Sequence, residues 1–180
     1  MLEIPPLDGL NQTLVTALIR KLIAQNGEMI IKEAVFSDDT EKPYGRKVLF
    51  QNNQIELLLT GWNPGHACWP HTHGGHSEGI VSVLSGEGTF KMFPRLGDIN
   101  GVKTRVLSTG NIIFVPRGEV HSMGNDGAEP LICLHTYWPP VSEMWIYNPI
   151  QTVGWRVSNG GAWQPEQQYT LEERRVEHAS

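Results

Sequence analysis

Beyond Pro43 the chain is written as short apolar runs rich in Val, Ile, Leu and Phe, each cut off by turn-forming residues. The breaks are Asn52-Asn53, Gly86-Glu87-Gly88, Leu96-Gly97-Asp98, Ser108-Thr109-Gly110-Asn111 and Asn125-Asp126-Gly127. Punctuation at these intervals leaves no room for long helices and suits antiparallel strands joined by tight turns. The runs predict strands at Lys47 to Phe50, Ile55 to Trp62, Trp69 to His73, Ile80 to Leu84 and Gly88 to Met92. Further strands are expected at Thr104 to Leu107, Ile112 to Val115, Val120 to Gly124, Leu131 to Tyr137 and Met144 to Tyr147. That many short strands in one chain of 180 residues fits a small β-barrel or jelly roll.

The N-terminal part differs. Leu10, Leu14, Leu18 and Leu22 recur every fourth position with Val15 and Ile19 beside them, which predicts a helix packed on the outside of the β body. Asp8 or Asn11 is expected to cap its start and Asn26-Gly27 to end it. The expected organisation is a helical extension over residues 1–43, a barrel over 44–150 and a C-terminal extension over 151–180. The stretch Gln164 to Ser180 is charged and poor in large apolar residues, as in a frayed tail or a short docked helix. Trp138, Trp145, Trp155 and Trp163 are expected to seal the barrel or an interface.

The formal charge of −5 and the scattered Lys and Arg residues argue against nucleic acid as a partner. No stretch has the length and apolarity of a membrane span, and Met1-Leu2-Glu3-Ile4-Pro5-Pro6 lacks the features of a secretion signal. A cytoplasmic protein without a membrane partner is therefore expected, acting as a monomer or small homo-oligomer. Cys68 and Cys133 are too few for a disulfide framework and match no zinc spacing.

The chemistry-bearing residues are histidines. On a strand, alternate side chains share a face, so His71 and His73 point one way while Thr72 points the other. About fifty residues on, His121 offers a third imidazole from another strand. Three imidazoles on a β scaffold make one face of an octahedron, related to the two-histidine-one-carboxylate set that leaves positions open for oxygen and substrate on iron(II).

The segment from Gly65 to Gly86 resembles the first motif of the cupin superfamily. The segment from Gly110 to Asn125 carries the second: glycine, five residues, Pro116-x-Gly118, two residues, His121, three residues, Asn125. A lone His-x-His is weak, because surface histidine pairs are common; both motifs in order on expected strands are specific. The resemblance implies a cupin-type barrel with an octahedral metal site. The superfamily also offers a fourth ligand, a glutamate. Counting forward from His73 reaches Glu78, and counting back from Gly86 reaches Gly79. An insertion is tolerated better in the turn Gly74-Gly75-His76 than inside a paired strand, which favours Gly79 facing the metal and Glu78 turned away.

Within that superfamily, residues 44–148 resemble the cysteine dioxygenase family of thiol dioxygenases. Tyr44-Gly45-Arg46, Trp62 before Pro64-Gly65, His71-Thr72-His73-Gly74-Gly75 running on to Val83-Leu84-Ser85-Gly86, and Leu131 to Pro140 carry the likeness. The resemblance implies Fe(II) on His71, His73 and His121, and a substrate carboxylate on Arg46. It also implies catalytic roles for Tyr137 and for His135, which would orient it. Cys133, His135 and Tyr137 alternate onto one strand face, where Cys133 replaces the family's serine. The cysteine that is crosslinked to the active-site tyrosine in animal members has no counterpart, since Gly79 or Glu78 stands there. The expected activity is oxidation of L-cysteine, or an analogue such as 3-mercaptopropionate or cysteamine, to a sulfinate with O2. The rivals are a cupin metalloenzyme using Glu78 as a fourth ligand on a non-thiol substrate, and a non-catalytic cupin that binds a small molecule.

Overall fold

The computed structural model describes residues 9–39 and 42–158, together with the backbone of 167–169. One helix, α1 (Gln12–Lys32), precedes the strands β1 (Gly45–Gln51), β2 (Glu56–Trp62), β3 (His71–Thr72), β4 (Glu78–Ser85), β5 (Glu87–Phe93) and β6 (Lys103–Ser108). They continue as β7 (Ile112–Val115), β8 (Val120–Gly124), β9 (Leu131–Trp138), β10 (Met144–Asn148), β11 (Val153–Val157) and β12 (Gln167–Tyr169). Two antiparallel sheets result, ordered β1-β2-β9-β4-β7 and β12-β11-β10-β3-β8-β5-β6. They pack as a jelly-roll sandwich rather than a ring of strands closed by hydrogen bonds.

The first sheet is covered on both faces. Leu57, Leu59, Ile80, Leu134 and Trp138 point outward and meet Val15, Ile19 and Ile30 of α1. Leu58, Trp62, Val81, Val83, Leu131 and Tyr137 point inward, toward Phe90, Met123 and Ile146 of the second sheet. Every residue of β2 and of β9 is accordingly buried. A covered sheet needs apolar residues at consecutive positions rather than alternate ones, and Leu57-Leu58-Leu59 supplies them. Burying one such leucine contributes roughly 2 kcal/mol.

Helix α1 departs from expectation at its C-terminal end. Asn11 caps its start, accepting a hydrogen bond from the Leu14 amide, but the helix runs through Asn26-Gly27 to Lys32. An internal glycine costs about 1 kcal/mol of helix propensity. Burial of Ile30 four turns along from Val15 on the same face offsets it. Val15 and Ile19 are fully buried, whereas Leu14, in the expected stripe, is 38% exposed.

Strand β3 is shorter than expected, since Trp69 and His73 lie outside its ladder. Strand β11 was not apparent in the sequence, and it extends the second sheet from β10. Within the expected tail, Gln167–Tyr169 pairs with β11 as a strand rather than forming a helix. The rest of that tail, Asp8 and Trp163 lie outside the described residues.

Candidate metal centre

Strand β3 is two residues long, and it sits between β10 and β8 with His71 directly opposite His121. That register brings two imidazoles together from separate strands. His73, two residues beyond His71, turns to the same side, and the three rings stand 4.4 to 5.2 Å apart between centroids. One nitrogen from each lies within 4.8 Å of the others, so a single ion can reach all three. The Phe90 ring stacks on His121 at 5.2 Å and limits its rotation.

The rings suit a metal electronically as well. All three are at least nine-tenths buried, and burial lowers each pKa: His71 to about 4, His73 and His121 well below the ordinary value. They are neutral at pH 7, with a lone pair free to bind. Nδ1 of His71 lies 3.0 Å from the Trp69 carbonyl and Nδ1 of His121 lies 3.4 Å from the Glu119 carbonyl. A carbonyl only accepts, so the tautomer assigned to both carries its proton on Nδ1 and presents Nε2 to the metal. Beside His71, Sγ of Cys68 accepts a hydrogen bond from the Met123 amide at 3.2 Å and lies 3.8 Å from the His71 Nδ1. Burial pushes the Cys68 thiol up to about 12, so it braces the ring as a thiol and supplies no thiolate.

Glu78 is not a ligand. Its carboxylate pairs with Arg117 at 3.4 Å, while Gly79 faces inward opposite Tyr137. A Cβ built on Gly79 would stand 2.9 Å from the Tyr137 ring carbons Cδ1 and Cε1. The register with glycine inside therefore holds, and the fourth-ligand arrangement does not.

The three histidines open onto a cavity of about 30 Å³ that Tyr137, His135, Tyr44 and Glu56 also line. The Tyr137 ring meets His73 edge-on at 4.7 Å. His135 Nδ1 lies 3.0 Å from the Tyr137 hydroxyl. Burial raises the Tyr137 pKa far above its usual value, so the hydroxyl keeps its proton. His135 is held neutral by burial, with its pKa lowered to about 3. Cys133 shares the inward face of β9, but no hydrogen bond carries the row outward from His135, whose Nε2 is buried without a partner. A thiol is a weaker acceptor and donor than the hydroxyl it replaces.

Arg46 stands on β1 and its guanidinium donates to Glu56 Oε1 at 2.8 Å. Glu56 is 1% exposed and forms the cavity wall at that end, where Arg46 itself does not reach. Burial raises the Glu56 pKa, while Arg46 and the Val141 amide oppose the rise. The sequence reading passed over Glu56. One acid within Ile55-Glu56-Leu57-Leu58-Leu59 looks like a strand edge, although an acid inside an apolar run was itself a signal.

Residues 58–137 match the family model for the cupin domain. The fold is similar to that of a conserved protein with a double-stranded β-helix domain from Klebsiella pneumoniae, with TM-score 0.56 and 23% identity over 66% of this chain and 94% of that one. A protein from Thermus thermophilus matches with TM-score 0.51 and 24% identity over 61% of this chain and 93% of that one. An oxalate oxidase matches with TM-score 0.50 and 20% identity over 64% of this chain and 61% of that one. At these identities the likeness is one of fold. The domain match is thus confined to residues 58–137, and these structures share its fold.

Proposed function

We propose that this chain is an iron(II)-dependent thiol dioxygenase that converts a small thiol into its sulfinate. The observation that carries the reading is the pairing of three neutral, buried histidines with a protonated Tyr137, itself held by His135, around one small cavity. These residues stand at the positions where the sequence resembles cysteine dioxygenases.

Bound iron(II) would supply open positions at which a thiolate and O2 meet, and neutral ligands would leave its charge available to the thiolate. The reaction balances without a reductant: R–SH + O2 gives R–SO2H, with sulfur losing four electrons and both oxygen atoms ending on it. The chain's own contribution is to hold and exclude. In the tautomer with its proton on Nδ1, His135 donates to the Tyr137 oxygen, which leaves the tyrosine O–H to donate into the cavity, toward a substrate or developing oxygen charge. Cys68 and the Trp69 carbonyl fix the His71 ring. Phe90, Val81 and Met144 keep the surroundings apolar, which strengthens each polar contact inside.

The test is oxygen uptake by iron(II)-reconstituted protein given cysteine, cysteamine and 3-mercaptopropionate in turn, with the product identified by mass. Uptake with one thiol and a sulfinate product is expected. No uptake with any of them at stoichiometric iron overturns the reading in favour of a binding cupin.

A further inference from the structure

At the end of the cavity away from the histidines, the wall presents a carboxylate to whatever a bound thiol carries beyond its sulfur. Among the described residues lining the cavity, Glu56 is the one Asp, Glu, Lys or Arg. Arg46, the residue that resemblance would give to a substrate carboxylate, already donates to Glu56 Oε1. The second oxygen, Oε2, is buried and makes no hydrogen bond of normal geometry among the described residues, the Val141 amide being the other donor near the carboxylate.

A buried carboxylate oxygen with no donor is costly, and a ligand that brings a donor relieves that cost. A ligand carboxylate brings none, and would set one acceptor against another. An ammonium brings three donors and the opposite charge. Position agrees with charge. Glu56 lies opposite Tyr137 in the β2–β9 register, and Tyr137 packs on the metal ligand His73, so the acid stands on the next strand from the site where sulfur would bind.

Resting on the thiol reading, we infer that Glu56 is the substrate-recognition residue, taking a primary ammonium on Oε2, and that the substrate is a small aminothiol without a carboxylate, of the 2-aminoethanethiol type. Arg46 is then a positioning residue that fixes the Glu56 carboxylate rather than a carboxylate clamp.

Anaerobic calorimetry on the iron(II)-loaded protein tests this without turnover, using 2-aminoethanethiol, the uncharged 1-propanethiol and 3-mercaptopropionate. The wild-type protein should bind the aminothiol at least about tenfold more tightly than 1-propanethiol, and 3-mercaptopropionate the most weakly. Glu56→Gln should bring the aminothiol to within about threefold of 1-propanethiol and leave 1-propanethiol itself unchanged. The ligand order in the wild type carries the test should the variant fail to fold. Tightest binding of 3-mercaptopropionate, or an aminothiol affinity that a folded Glu56→Gln retains, overturns the assignment to Glu56 while leaving the thiol reading intact. Binding of no thiol overturns the thiol reading itself.

Discussion

Gly79 on β4 faces Tyr137 on β9 so closely that a single added carbon at Gly79 would stand 2.9 Å from two carbons of the tyrosine ring. The backbone of Gly79 is not in the left-handed region, so the glycine is there for space rather than for conformation. Gly79→Ala should therefore shift the Tyr137 ring, destabilise the fold by about 1–3 kcal/mol and lower kcat. Chemical denaturation and kinetics on one preparation check this. An alanine variant as stable and active as the parent would show that the ring has slack.

The three histidines make metal content the next measurement. Each of His71→Ala, His73→Ala and His121→Ala should weaken iron(II) binding by more than about 100-fold, beyond what loss of an outer partner costs. In the parent, metal at about 100 times its Kd should add about 2.7 kcal/mol to stability, and chelation should remove it. Elemental analysis and thermal melts with and without chelator report both. Full iron occupancy in any one of the variants would remove that histidine from the ligand set.

Tyr137→Phe takes from His135 its hydrogen-bond partner, leaving both nitrogens of a buried ring unsatisfied. A loss of about 1–3 kcal/mol follows. Metal content should stay at the parental level while turnover falls, because the tyrosine oxygen is no ligand. A variant that instead loses its iron would show that Tyr137 shapes the ligand sphere.

Acid should destabilise the metal-free chain in a defined window. His135 has its folded pKa lowered by burial to about 3, so the unfolded chain, with an ordinary histidine near 6.5, binds more protons between those values. Stability is full above pH 6.5 and falls as pH drops toward 3. From pH 7.5 to 5, His135 alone accounts for roughly 2 kcal/mol, and the three ligand histidines shift in the same direction. Urea denaturation of chelated protein across that range measures it; a flat profile would mean that these rings take up protons in the folded state.

What the sequence disclosed is what local spacing encodes. His71 and His73 share a side because strands alternate, and Pro116-x-Gly118 sets the turn from which β8 carries His121. Glu78 and Gly79 could be told apart for the same reason: a one-residue slip reverses a strand, and insertion in a glycine turn does not. The helix end was misjudged at Gly27 because the stop signal is local, while burial of Ile30 against the first sheet is not. Glu56 was missed on similar grounds. Its meaning depends on Arg46 one strand away and Tyr137 on the other side, and no spacing along the chain announces that register.

The cavity at the metal centre holds about 30 Å³. So little space beside the histidines favours a thiol of few atoms. In a mixture of thiols, discrimination would thus begin as filtration by bulk. A tripeptide thiol would have to keep its backbone outside that space, a constraint that a small thiol does not meet.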